Sequence, residues 1–78
     1  MNPSIHVRLR LMREIGNIRQ DDVVSELRLR GHRLGQGDLS QMQCGARPIS
    51  AALAREISSV VVAITEARLN SLKELAAQ

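Results

Sequence analysis

Apolar residues recur along this chain at intervals of three and four, and glycines interrupt them, a pattern that predicts four helices. Ile5, Leu9 and Met12, then Leu11 and Ile15, share one face of a stretch from 5 to 15, with Ser4 placed to cap it and Gly16 to end it. Ile5, Val7, Leu9 and Leu11 also alternate with His6, Arg8 and Arg10, as in a half-buried strand. Met12, Arg13 and Glu14 break that alternation and favour the helix. A second helix is expected near 19–30, where Asp21 and Asp22 sit in the first turn and Val23, Val24 and Leu27 point inward, before Gly31 stops it.

The basic connector Gly31-His-Arg-Leu-Gly35 leads to a short third helix at 36–44, closed by Gly45. Leu39 and Met42 face the same way there, and Gln36, Gly37, Ser40, Gln41 and Gln43 are assigned to its outside, polar and hardly charged. Pro48 keeps Arg47 extended, and Ser50 caps a fourth helix over 50–66 whose apolar face is Leu53, Ile57, Val60, Val61 and Ile64. Leu69, Leu72, Leu75 and Ala76 prolong that face towards 77, further than three short helices can cover. The β-branched run Val60 to Val62 competes for a strand. The whole of 1–78 is thus expected to be one all-α domain, a four- to five-helix bundle.

Composition changes that picture in one respect. The chain has 78 residues and no Phe, Tyr or Trp, so a small core must be built from aliphatic side chains alone. A domain of this size buries only about 60–65% of the surface its unfolded chain exposes. A marginal monomer that gains by dimerising is the expectation, with 60–78 as the dimerisation segment and Val61, Ile64, Leu69, Leu72 and Leu75 as its contacts.

Charge adds a candidate partner. Residues 1–47 hold eight Arg against five acids, whereas Arg55, Arg68 and Lys73 are balanced by Glu56, Glu66 and Glu74 in the remainder, so the net +3 sits in the first half. A basic half favours a polyanion such as nucleic acid, and arginine forks suit phosphate and guanine.

Other chemistries find little support. His6, His32 and Cys44 are too scattered for a metal site, and the single cysteine cannot form an internal disulfide. Gly35-Gln-Gly37 lacks the remainder of a phosphate loop, and Asp38 and Ser40 point different ways on a helix with no oxyanion donor identified. No enzyme, cofactor or small-molecule effector is expected. The N-terminus carries no signal-peptide apolar block, and the longest apolar run, Val60 to Ile64, is too short to span a bilayer. A cytoplasmic protein with no membrane partner follows.

Two helices joined by a glycine-containing connector, the second short and polar outside, form the arrangement that lays a helix in the DNA major groove. Residues 18–50, from Ile-Arg-Gln-Asp-Asp-Val-Val-Ser-Glu-Leu to Gly-Gln-Gly-Asp-Leu-Ser-Gln-Met-Gln-Cys-Gly-Ala-Arg-Pro-Ile-Ser, resemble the phage Cro and repressor family, also called the XRE family. The resemblance implies a helix-turn-helix transcriptional regulator that binds double-stranded DNA as a homodimer, most simply as a repressor. It implies that Gln20 holds a phosphate and steadies Gln36, the first residue of the recognition helix.

By the same resemblance the base-reading positions are Gln36, Gly37, Asp38, Ser40 and Gln41. A glutamine can bond adenine bidentately, worth about 1–3 kcal/mol of discrimination. Asp38 either accepts from a cytosine amine or favours the helix N-terminus. Gly37 either lets the backbone approach DNA closely or marks a later helix start. Arg47, in the loop after the recognition helix, and Arg28, Arg30 and Arg33, around the connector, are expected on phosphates. The competing expectation is a small helical module that docks on a partner protein without specific DNA binding.

Overall fold

A computed structural model of the protein describes residues 4–78. Four helices follow in order: α1 Ile5–Ile15, α2 Gln20–Leu29, α3 Gln36–Gln43 and α4 Ala51–Ala76. No strand occurs among the described residues, so both strand alternatives, at the start of α1 and at Val60–Val62, give way to helix. In each case the alternating or β-branched residues lie within a longer three-four spacing that buries one face, and burial outweighs propensity.

Three of the helices end in the same hydrogen-bond pattern, with one residue in left-handed conformation. His32 N–H donates to Leu27 O and Gly31 N–H to Arg28 O after α2, and Ala46 to Gln41 O and Gly45 to Met42 O after α3. Gly31 and Gly45 adopt φ of 93° and 83°. After α1 the left-handed residue is Asn17, φ 51°, and not the expected Gly16, which stays right-handed. Space and not conformation favours glycine at this position: a Cβ on Gly16 would lie 3.0 Å from Ile18 Cδ1 and 3.3 Å from Thr65 Oγ1. At the start of α4, Ser50 Oγ accepts from Leu53 N–H as expected. Ser4 occupies the N-cap of α1 without capping it; its hydroxyl lies beside His6 Nε2.

The core joins Leu9 of α1, Ile18, Val23, Val24 and Leu27 of the next loop and helix, Leu39 of α3, and Ile57, Val60 and Val61 of α4. Each of these larger side chains contributes about 1.5–3 kcal/mol on leaving water. Of the residues expected on the inner side of α1, Ile5, Leu11 and Ile15 are exposed instead, the last two because they lie about 200° and 240° around the helix from Leu9. Helix α4 packs on α1 and α2, and α3 sits against α1 and α2.

Helix α4 is fixed at Arg68, whose guanidinium donates to the carbonyls of Gly16 and Asn17 and approaches Asp22 at 3.6 Å. Those carbonyls close α1, so the cation sits where the helix dipole is negative. Past Arg68 every residue is exposed. Two expected dimer contacts are therefore reassigned: Val61 is a core residue and Ile64 is packed against the core, while Leu69, Leu72 and Leu75 stand free. No helix among the described residues is long and apolar enough to cross a membrane.

Candidate nucleic-acid interface

Helix α3 presents two faces of opposite character. Leu39 and Met42 are buried, while Gln36, Gly37, Ser40 and Gln41 are exposed together on the outer side. The helix begins at Gln36, which removes the alternative of a later start, and a Cβ at Gly37 would meet nothing within 4 Å. The first turn of the outer face is therefore open, with amide and hydroxyl groups and no charged side chain on it.

Gln43, assigned from the sequence to the outside, is 3% exposed. Its Oε1 accepts from Arg13 Nε at 3.2 Å and from Gln20 Nε2 at 3.1 Å, which ties α1 and α2 to the last turn of α3. Arg13 also donates to Ile18 O at 3.0 Å. Gln20 accordingly steadies the end of α3 and not Gln36 at its start, contrary to the pairing that the resemblance implied. The spacing contained the signal: Gln43 is four residues after Leu39 and one after Met42, on their side of the helix, and Arg13 is four after Leu9. Polarity concealed it. The Nε2 of Gln43 is buried with no partner among the described residues, a cost of about 1–3 kcal/mol offset by the two bonds to its oxygen.

Asp38 is committed at the opposite end of α3. Its Oδ2 accepts from Gly35 N–H at 2.9 Å and its Oδ1 is paired with the Arg47 guanidinium. The Gly35 N–H holds the carboxyl below its ordinary range against an opposing effect of desolvation, and the Arg47 hydrogen bond and charge add to the lowering. Both oxygens are engaged, so Asp38 closes the N-terminus of α3 and ties down the following loop; it is withdrawn from the base-reading set.

The arginines expected on phosphates separate in the same way. Arg30 is taken up by Glu56 at 3.1 Å, Glu26 at 3.7 Å and the Ser59 hydroxyl, in a link from α2 to α4. Arg28 donates through Nε to Leu34 O, which braces the connector, and it has no acidic partner among the described residues. Arg33 is exposed at the tip of the connector, also without an ion-pair partner among them. Arg28, Arg33 and the Asp38-bound Arg47 thus border α3, and Arg30 does not belong with them. No group of three metal-ligating side chains occurs among the described residues. No protein-family model, curated protein or solved structure matches the chain.

Proposed function

We propose that the protein is a sequence-specific DNA-binding transcriptional regulator of the Cro and repressor kind, a cytoplasmic homodimer that represses by occupying a near-palindromic site. The observation that carries this reading is the outer face of α3. Gln36, Gly37, Ser40 and Gln41 stand clear of the body on a short helix whose inner face is locked into the core, with cationic side chains at its borders. Amides and a hydroxyl can both donate to and accept from base edges, and an uncharged face enters a groove without a large desolvation cost. Arg33 and Arg28 supply contacts to phosphate that position without specifying. In a symmetric dimer the two α3 helices would lie about 34 Å apart.

A gel shift of the chain's own upstream region against random DNA of equal length, over a salt series, tests the proposal. A selective complex that weakens steeply with salt is expected. Gln36→Ala relaxes selection at one or two base positions, whereas Arg33→Ala weakens all DNA alike and lowers the salt slope by about one. Equal losses on cognate and random DNA for Gln36→Ala would sink the base-reading role. A second reading, docking on a partner protein, is favoured by the bare leucines of the α4 tail. It predicts no selective shift at micromolar protein and a stoichiometric protein complex in its place.

A further inference from the structure

The free part of α4 carries a seam. Val62, Thr65, Leu69, Leu72 and Ala76 recur at three and four residues, and all are exposed, Leu69 at 47% and Leu72 at 62%. Where the seam runs back over the body it borders a shallow groove of about 280 Å³ between α1 and α4, with Met12, Val61 and Val62 among its walls. On the rim stands Ile15, 85% exposed, the most exposed large apolar side chain among the described residues. The body ends at the Arg68 anchor, so half of the seam is attached to the body and half extends beyond it.

Charges beside the seam select what covers it. Glu66 and Lys73 lie along one flank, seven residues apart, and Arg68 and Leu75 along the other. We propose that the seam closes on the same seam of a second copy running antiparallel, with Leu69 of each copy on Leu72 of the other. Ala76 of each then lands on Thr65 of the other, at the Ile15 groove. Antiparallel pairing brings like flanks together, so Glu66 meets Lys73 of the second copy, twice by symmetry. Parallel pairing brings unlike flanks together and sets Arg68 against Lys73, cation on cation. The extended half of each helix is thereby received by the groove on the other body, which a short two-helix contact needs in order to approach the ~800 Å² per partner of a stable interface. This inference rests on the homodimer proposed above and gives it an orientation and a register.

Sedimentation equilibrium without DNA, together with disulfide trapping, tests it. In a Cys44→Ser background, Thr65→Cys and Ala76→Cys chains are prepared separately and oxidised alone and mixed. The mixture is expected to give the 65–76 disulfide, and neither chain alone a covalent dimer. Disulfides in the separate chains would instead show a parallel pair and overturn the proposal. Lys73→Glu is expected to weaken the dimer about tenfold, since two symmetric attractions become repulsions, and Glu66→Lys added to it restores the affinity. A tighter dimer with Lys73→Glu alone also overturns the antiparallel arrangement. So does a monomer at all concentrations in a protein that still selects DNA, whereas a trapped antiparallel dimer without DNA selection overturns only the regulatory reading.

Discussion

The two ends of α3 are secured by different physics. Its last turn is held by Gln43, buried between Arg13 of α1 and Gln20 of α2, with bonds of 3.2 and 3.1 Å to one oxygen. Its first turn is held by Asp38, a half-exposed carboxylate shared between the Gly35 amide and Arg47. In the buried case the half-buried donors left behind after a deletion reach water only in part, so the geometry is enforced by the cost of breaking it. At the exposed end water replaces either partner, and salt screens the ion pair. The outer residues Gln36 and Gly37 belong to the adaptable end, and Gln41 to the enforced one. A helix fixed at one end and adjustable at the other can settle against a ligand surface without losing its seat.

The largest expected effect removes the platform that both ends share. Leu39 is fully buried at the centre of α3's inner face. Leu39→Ala should cost about 2–5 kcal/mol. A domain of this size has a total stability of about 4–12 kcal/mol. Urea unfolding followed by far-UV circular dichroism should show the midpoint falling by about a sixth or more, or no folded baseline at all. A shift smaller than that of Gln43→Ala would mean that α3 is held mainly by its ends.

Next comes the buried end by itself. Gln43→Ala leaves the Arg13 Nε–H and the Gln20 amide without their acceptor, for an expected loss of about 1–3 kcal/mol. Gln43→Glu offers a carboxylate to the same two donors, one of them the Arg13 guanidinium, which has no ion-pair partner among the described residues, and removes the unpartnered Nε2. It should retain more stability than Gln43→Ala at neutral pH, and that advantage should shrink in acid as the new carboxyl takes up a proton. If the two variants unfold together at neutral pH, the Arg13–Gln20–Gln43 cluster is packing and not hydrogen bonding.

What the sequence disclosed follows the same division. Helices, glycine stops and the faces of α2 and α4 were legible because each is a local spacing of apolar residues. The single long α4 was legible only as an apolar face that outran its neighbours. Gln43 was placed outside on its polarity, although its spacing from Leu39 and Met42 puts it on the buried side, and Arg13 received no role. Ile18 entered the core from the short loop between α1 and α2, where no periodicity exists to announce it. Glu56 lies 26 residues from Arg30, Asp38 lies 9 from Arg47, and Gly16 and Asn17 lie 52 and 51 from Arg68, distances at which the pattern is silent. Separation of free arginines from committed ones therefore required the fold.

The exposed end gives the smallest effect and the most selective one. The Asp38 carboxyl is held below its ordinary value of 3.8, first by the Gly35 N–H and then by Arg47, so the folded chain binds this proton less tightly than the unfolded chain does. The linkage sign follows: the contribution of Asp38 is fully present above about 3.8 and is lost as pH falls through the lower folded value. Nuclear magnetic resonance from about pH 5 downwards should then show the Gly35 amide losing its downfield, hydrogen-bonded shift in step with Asp38, while the amides of Met42 and Gln43 stay in place until global unfolding. Asp38→Asn should flatten the Gly35 titration. Molar salt should relax the Arg47 contact and leave the Gly35 bond, which is short-ranged and local to the turn. If Met42 and Gln43 move together with Gly35, α3 responds as a rigid unit, and the difference between its ends is one of burial without independence.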